Sequence, residues 1–181
     1  KLLEKEKEIE VKVITDKDYL YEFDHDFVKV DSWGLMHNKF CIIDGKKISS
    51  GSMNPTNNGA TKNNNNLLFI NSQVLAANYE AEFQEMWNGV FKKGDPVLNP
   101  MINLDGITIK NYFCPEDQCA EKVKDELKKA KESIHFMTFS FTNEGIGNII
   151  LLKSLEDITI EGVMEARQVT KYSVYDLLKY Q

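Results

Sequence analysis

Three side chains in one short stretch of this sequence are suited to the transfer of a phosphoryl group. His37 is followed two positions later by Lys39, and Asn54 lies further along the same stretch. An imidazole can act as a nucleophile or as a general acid or base near neutral pH. An ammonium group and a side-chain amide can both donate hydrogen bonds to phosphoryl oxygens. Because phosphoryl transfer depends chiefly on positioning and charge neutralisation, this set predicts a phosphate site that needs no metal ion.

Three further residues complete a pattern with fixed spacing. The pattern is HxKxxxxDxxxxxxGSxN, formed by His37, Lys39, Asp44, Gly51, Ser52 and Asn54. Ser52 can donate or accept a hydrogen bond, and we expect it to assist in holding the phosphate. Asp44 would lie at the far end of a strand, with parity opposite to His37. We therefore expect Asp44 to have a structural role at the strand end rather than a role in proton transfer.

A predicted strand must carry the first two residues of the pattern. The segments KFCIID and KKISS flank Asp44-Gly45, which predicts a two-residue β-hairpin turn at that dipeptide. Because side chains alternate along a strand, His37 and Lys39 would project from the same face toward one pocket. The pattern thus favours a phosphate-site histidine over a histidine of the core.

The rest of the chain alternates between predicted strands and helices. The predicted strands are residues 8–16, 27–32, 67–71, 107–113, 133–141 and 158–165. Ser72 and Asn143 are suited to cap helices, and Pro115 is suited to open another. Residues 171–180 are predicted to form a terminal helix. Strands that alternate with helices indicate an α/β layered fold.

An internal similarity suggests that the chain contains parts of two related units. Residues 2–16, LLEKEKEIEVKVITD, align without a gap with residues 151–165, LLKSLEDITIEGVME. The offset of about 150 residues is the length of a typical domain. One interpretation is a duplicated protein seen in a window that is out of phase with its repeats. The other is a chance similarity between two amphipathic α/β segments.

The six-residue pattern resembles the signature motif of the phospholipase D superfamily at every position. The surrounding text LMHNKFCIIDGK, GSMNPTNNGATKNNNNLL and NYEAEFQEMW resembles the stretch that carries and follows this motif. The later text YFCPEDQ, MTFSFTNEGIG and VMEARQ resembles the opening half of the same family. The resemblance therefore spans nearly the whole chain and independently favours the out-of-phase interpretation.

The resemblance implies a fold and a division into two parts. The fold is an α/β/α sandwich around a mixed β-sheet, with one lobe's worth of structure in permuted order. Residues 1–96 would be the C-terminal half of a first lobe, which carries the motif. Residues 97–181 would be the N-terminal half of a second lobe, cut before its own motif.

The resemblance also implies a mechanism that uses two copies of the motif and no cofactor. One histidine attacks phosphorus and forms a phosphohistidine, and the other protonates the leaving oxygen and then activates water. His37 would be one of these two, with Lys39, Ser52 and Asn54 on the phosphate. The second half-site would come from downstream sequence or from a second chain, so that this chain alone would be incomplete.

One departure from the family concerns Asn65. Family members often carry a carboxylate at this place, in a string N-x-E-N, where it orients the histidine. Here the string is NNNN, and Asn65 occupies the position. An amide can accept a hydrogen bond from the imidazole but stabilises an imidazolium less than a carboxylate does. We therefore expect His37 to be the acid/base partner rather than the nucleophile.

Composition does not decide the substrate class. The net charge of -6 disfavours a broadly basic nucleic-acid surface. No apolar membrane-facing loop is evident from the sequence. The resemblance favours a nuclease, since many members of the family with this compact layout resemble nucleases. Phospholipid hydrolysis or phosphatidyl transfer is the alternative, and a catalytically incomplete binding or assembly module is another. No leader peptide is visible, which leaves cytoplasmic and secreted locations both open.

The remaining candidate residues have structural explanations. Cys41 is expected in the core. Cys114 and Cys119 are expected to be free thiols rather than a disulfide or a metal site. His25 and His135 are expected to be structural or surface residues. Glu165 and Arg167 could serve either a phosphate pocket or a surface ion pair.

Overall fold

The computed structural model describes residues 2–22, 24–31 and 33–179 as a mixed α/β chain. The chain divides into two compact units, Lys1–Asp117 and Gln118–Gln181. Position 32, at the end of one predicted strand, and position 180, at the end of the predicted terminal helix, lie outside the described residues. Among the described residues, no helix is both long enough and apolar enough to cross a lipid bilayer.

The first unit contains three helices and seven strands within its described residues. The helices are α1 (Leu2–Lys5), α2 (Asn57–Thr61) and α3 (Gln73–Trp87). The strands are β1 (Val13–Asp16), β2 (Val28–Asp31), β3 (Phe40–Ile43), β4 (Lys47–Gly51), β5 (Leu67–Asn71), β6 (Met101–Leu104) and β7 (Ile107–Lys110). A short 3-10 helix, Lys17–Glu22, follows β1 directly.

These strands form separate small sheets rather than one mixed sheet. β1 and β2 pair in parallel, β3, β4 and β5 form an antiparallel sheet, and β6 and β7 form a hairpin. The segment between β2 and β3 does not continue a ladder. Its backbone N–H groups bond to the side chains of Asp31 and Asp16 instead. The α/β class is thus confirmed, while the single mixed sheet is not formed by the described residues.

The core of the first unit lies between α3 and the antiparallel sheet. Ile48, Leu75, Ala76 and Ile102 form a buried cluster, to which Ile109 adds a partly buried side chain. Because the β6–β7 hairpin contributes to this core, it belongs to the first compact unit. The division between compact units therefore differs from the predicted boundary at residues 96 and 97. Whether those two parts belong to two lobes stays a prediction.

The turn and the cap that position the motif follow local rules. Asp44 and Gly45 have φ angles of 54° and 60°, which a turn of this hand requires. Three residues separate the paired Ile43 and Lys47, so the predicted two-residue connection is one residue too short. At the start of α3, the Ser72 hydroxyl accepts a hydrogen bond from the Leu75 N–H at 3.2 Å, as predicted.

The second unit is built on a βαβ arrangement. Its elements are α4 (Cys119–Leu127), β8 (Ser133–Thr138), α5 (Glu144–Ser154), β9 (Thr159–Met164) and α6 (Tyr175–Leu178). β8 and β9 pair in parallel, and α5 packs against β9 and α6. The Asn143 side chain caps α5 by accepting from the Ile146 N–H at 3.0 Å, as predicted. α6 is shorter than the predicted terminal helix.

The expectations for the cysteines were wrong. Cys114 and Cys119 are disulfide-bonded, because a turn over residues 114–117 brings the chain back on itself between them. Pro115 lies in this turn, and α4 begins only at Cys119. Cys41 is exposed rather than buried, since it points to the face of β3 opposite to the partly buried Phe40 and Ile42.

Candidate functional site

His37 lies in the segment of residues 35–39 that leads into β3, and not inside the strand as predicted. Its side chain is exposed, and the imidazole makes no hydrogen bond within the part of the chain that the structure describes. The Lys39 ammonium donates to the backbone carbonyl oxygen of His37 at 2.8 Å. The structure thus places the two residues together, with the imidazole itself left open to a ligand.

Burial lowers the pKa of Lys39 below its usual value. Desolvation disfavours the charged form of an amine, which gives this shift its direction. A phosphate beside the ammonium would oppose that cost, because an opposite charge favours the protonated form. Binding of an anion would therefore stabilise the charged form of Lys39, which agrees with the phosphate-binding role predicted for it.

Two buried aspartates at the ends of parallel strands hold the segment in front of His37. Asp16 and Asp31 stand side by side in register at the ends of β1 and β2. The Asp31 Oδ1 atom accepts from the N–H groups of Trp33 at 2.7 Å and Gly34 at 3.2 Å. The Asp16 Oδ2 atom accepts from the Met36 N–H at 3.0 Å. These bonds fix the main chain that delivers His37.

The sequence analysis missed these two aspartates, although a signal was present. The strands VITD and VKVD both end in an aspartate after an apolar alternation. Polar residues at the carboxyl ends of parallel strands commonly serve a site at that edge. Backbone hydrogen bonds from Asp18 and Met36 lower the pKa of Asp16, which keeps it ionised as an acceptor.

The glycine of the GSxN string is required by a close backbone approach. A Cβ atom at Gly51 would lie 2.3 Å from the backbone oxygen of Asn66. This closeness allows the Ser52 N–H to donate to the Asn66 backbone oxygen at 3.1 Å. The Ser52 hydroxyl in turn accepts from the Asn66 N–H at 3.0 Å. Gly51 and Ser52 therefore tie the end of β4 to the start of β5.

Asn65 contacts Ser52 rather than His37. The Asn65 Oδ1 atom accepts from the Ser52 hydroxyl at 3.0 Å, and its Nδ2 atom donates to the Gly59 carbonyl at 2.9 Å. A hydrogen bond from the His37 imidazole to Asn65, which the amide could accept, is absent among the described residues. The amide is already committed at both ends, which gives the physical reason for this correction.

Asn54 and Asp44 lie at exposed positions. The Asn54 carbonyl accepts from the Thr56 N–H at 2.7 Å, and the Asn54 amide makes no hydrogen bond in the described ranges. Thr56 caps α2 through the Gly59 N–H at 3.0 Å. Asp44 occupies the β3–β4 turn, which agrees with the strand-end position expected for it.

A cavity of about 150 Å³ opens beside His37. The described residues that line it are Asp31, Leu35, Met36, His37, Asn38, Glu82, Met86, Val90, Phe91, Lys92, Lys93, Cys114, Pro115 and Glu116. Within the part of the chain that the structure describes, the cavity lining does not include Lys39, Ser52, Asn54 or Asn65. The structure therefore brings His37 to a cavity with charged and apolar walls, while Gly51 and Ser52 connect the end of β4 to the start of β5.

Glu82 is the residue of this cavity with the most perturbed titration. Burial in the first place, and then the charges of Glu116 and Glu85, raise the pKa of Glu82 to about 7. A side-chain hydrogen bond with Glu116 also favours the protonated form of Glu82, so Glu82 is only partly ionised near neutral pH. The pair therefore limits the negative charge beside His37 near neutral pH.

Replacing Glu82 by glutamine is expected to remove a pH dependence of stability. The folded-state pKa of Glu82 lies above its usual value of 4.5, so the folded chain loses stability as the pH rises toward 7. After a discount for partial exposure, Glu82→Gln should be more stable than the parent by about 1 kcal/mol at pH 8 and equal to it at pH 4. Urea denaturation at the two pH values measures this.

Glu80 supplies the matched control for that experiment. It is exposed on the same helix and accepts a hydrogen bond from Gln84 at 2.7 Å. Glu80→Gln should behave like the parent at both pH values. A parent stability that rises between pH 5 and pH 8 in step with Glu82 titration would contradict the assignment.

The other candidate residues lie on surfaces of the chain. Arg167 Nε and Glu165 Oε1 form an ion pair at 2.8 Å with the arginine side chain largely exposed, so the surface alternative holds. His135 Nε2 lies 3.7 Å from Glu161 Oε2 on the exposed face of β8 and β9. His25 stacks on Phe27 with ring centroids 5.3 Å apart.

Comparison with known proteins supports a family relationship for the first half of the chain. A family profile described as "Cardiolipin synthase, PLD-like domain" matches residues 2–87. A mitochondrial cardiolipin hydrolase of Xenopus tropicalis is 33% identical over 89 residues, which cover 44% of this chain and 42% of that protein.

Two more mitochondrial cardiolipin hydrolases show the same kind of similarity. That of Chlamydomonas reinhardtii is 30% identical over 92 residues, 45% of this chain and 41% of that protein. That of Drosophila melanogaster is 36% identical over 78 residues, 32% of this chain and 31% of that protein. The chain spans less than half the length of these curated relatives.

Proposed function

We propose, from the premise that residues 2–87 belong to the phospholipase D superfamily, that this chain supplies half of a phospholipid phosphodiesterase site. The observation that carries the proposal is the complete motif inside the matched segment. The His37 ring lies at the edge of a cavity and makes no hydrogen bond to any residue that the structure describes. The relatives are named for the hydrolysis of cardiolipin, a phospholipid. Their names favour the phospholipid alternative over the nuclease that the compact sequence layout suggested.

The proposed chemistry proceeds in two balanced steps. One histidine forms a P–N bond to the phosphodiester while the P–O bond to the leaving group breaks. The second histidine gives its proton to that oxygen, and then removes a proton from the water that breaks the P–N bond. No metal ion or cofactor takes part in either step.

His37 is assigned the acid/base role in this scheme. Asn65 offers no charge to stabilise a histidine cation, and its amide is bonded to Ser52 and Gly59. The Lys39 ammonium would exchange the His37 carbonyl for a phosphoryl oxygen, and the Asn54 amide would donate to another. Ser52 would act through its hydrogen bonds to residues 65 and 66 as a support of the phosphate site.

The other half of the site would come from a second motif, in downstream sequence or in a second chain. We also propose that the chain has the architecture of a permuted α/β/α lobe. Residues 1–96 and 97–181 would then be halves of two different lobes. What supports it is that β1 and β9 both follow a helix and both belong to parallel strand pairs. β1 pairs with a later strand and β9 with an earlier one, as expected for strands with two neighbours in a complete sheet.

The proposal is tested by offering three substrates to the 181-residue chain. Cardiolipin vesicles, phosphatidylcholine vesicles and plasmid DNA are incubated with it in EDTA, over a hundredfold range of protein concentration. We expect phospholipid hydrolysis that rises with the square of the protein concentration if two chains form the site. Cleavage of DNA alone would overturn the substrate class, and inhibition by EDTA would overturn the metal-free chemistry. Lipid binding without turnover at every concentration would overturn a site formed by two copies of this chain.

A further inference from the structure

Two large apolar side chains project into solvent directly before His37. Trp33 is 72% exposed and Leu35 is 74% exposed, although both are residues that folding normally buries. They lie in a loop of four residues, 33–36, which we call the WGLM loop. This surface could not be predicted from the sequence, because a run this short resembles an ordinary connection between strands.

The exposure of the WGLM loop is enforced by its main chain. The N–H groups of Trp33 and Gly34 donate to Asp31, and that of Met36 donates to Asp16. Both aspartates are buried, so the loop is anchored to the interior through its backbone. The loop backbone is therefore held in place while the side chains of Trp33 and Leu35 are exposed.

Lysines accompany the loop. A Cβ atom at Gly34 would lie 2.7 Å from Lys92 Cε, which shows that the Lys92 stem crosses the loop at its centre. Lys92 and Lys93 line the same cavity as Leu35 and His37. Because burial and the charge of Glu116 raise the pKa of Glu82 to about 7, the acidic wall opposes these cations less near neutral pH than two fully ionised carboxylates would. Exposed tryptophan, leucine and lysine together are typical of a protein surface that enters a membrane interface.

We propose that the WGLM loop is an interfacial anchor that inserts Trp33 and Leu35 into an anionic phospholipid bilayer and holds His37 at the level of the lipid phosphates. The inference rests on the proposed function, since it assigns the surface through which that site meets its substrate. Two residues of extended chain span at most about 7 Å. Interfacial segments bury their apolar side to a depth of about 5–10 Å. Leu35 below the headgroups therefore leaves His37 within reach of the phosphodiester.

The two lysines near the loop favour a bilayer that contains anionic lipids. Lys92 and Lys93 would lie against the headgroups, where basic side chains are attracted to anionic lipids. A single nucleic-acid strand could also stack on an exposed tryptophan, but the aliphatic side chain of Leu35 offers no ring for a base to stack on. The paired apolar residues thus favour the bilayer.

The test measures sedimentation of the 181-residue chain with vesicles, in EDTA and without any assay of turnover. Vesicles of phosphatidylcholine with cardiolipin are compared with vesicles of phosphatidylcholine alone. We expect Trp33→Ser with Leu35→Ser to weaken binding to the mixed vesicles at least about tenfold, from the apolar area withdrawn from the bilayer. Lys92→Gln with Lys93→Gln should abolish the preference for the anionic vesicles. Brominated lipids should quench the fluorescence of Trp33 in the parent.

The matched control removes another exposed aromatic and leucine pair. Phe69 is 66% exposed and Leu98 is 85% exposed, and both lie outside the loop and the cavity. Phe69→Ser with Leu98→Ser should bind vesicles like the parent. Equal binding by the loop variant and the parent would overturn the anchor, as would a loop variant that loses only binding to a single-stranded oligonucleotide. His37→Ala should still bind vesicles, so that a failure of hydrolysis is distinguished from a failure of anchoring.

Discussion

Replacing His37 by asparagine is expected to lower the rate of phospholipid hydrolysis by about 10⁴-fold or more, since an acid/base group and its covalent partner act as a unit. Fold stability should stay unchanged, because the imidazole is exposed and makes no hydrogen bond among the described residues. The measurement is the initial rate on cardiolipin vesicles, with thermal unfolding of the same preparation. Activity lost without a change in the unfolding temperature would assign the effect to chemistry.

The control for this substitution is another exposed histidine. His135 Nε2 lies 3.7 Å from Glu161 Oε2 on the surface of the second unit, and His135 is not part of the motif. His135→Asn should retain the parental rate within about twofold, since a surface ion pair contributes little. A His37→Asn variant that keeps more than a hundredth of the parental rate would contradict a reacting role for His37. A trapped phosphohistidine that maps to His37 would instead reverse the acid/base assignment.

Replacing Gly51 by alanine is expected to give the largest loss of stability of any single change in the motif. The new Cβ would lie 2.3 Å from the Asn66 backbone oxygen and 2.8 Å from its Oδ1 atom. Because backbone rather than a flexible side chain blocks it, β4 and β5 must separate and the Ser52–Asn66 hydrogen bonds must break. We expect a loss of about 2–4 kcal/mol in the free energy of unfolding. Urea denaturation monitored by circular dichroism measures this loss.

Gly106 separates the steric effect from the conformational one. It has a φ angle of 86°, and a Cβ there would meet nothing within 4 Å. Gly106→Ala should therefore cost only about 1 kcal/mol, the usual penalty for alanine in a left-handed conformation. If the two variants lose equal stability, the close approach at Gly51 is not what requires the glycine.

Local elements of the fold were predictable because their causes are local. β5 was predicted at residues 67–71 and is observed at Leu67–Asn71, and the Ser72 cap follows from its hydroxyl and the apolar periodicity behind it. β6 was missed, since the short segment MINL follows a linker without a break in composition. The predicted strand at His37 failed because the main chain just before it is bonded to buried aspartate side chains, to the nearby Asp31 and to Asp16, which lies 20 residues before Met36.

In the candidate site, too, the features that depend on residue type and spacing were predictable, and the contacts between distant residues were not. The motif predicts roles for His37, Lys39 and Asn54 from residue type and spacing, and these roles stay predictions. It could not show that the NNNN string bonds to Ser52, because an amide does not reveal its partner in sequence. The contact of Glu82 with Glu116 joins a helix to a remote turn, and only the folded chain places them together.

The support of the WGLM loop and its contact chemistry reside in different residues. Asp16 and Asp31 hold the loop by main-chain N–H groups, which every amino acid except proline provides. The side chains at positions 33 and 35 carry none of that support and are exchangeable. The two carboxylates thus fix the backbone of the loop beside His37. Other side chains could occupy positions 33 and 35 without loss of that support.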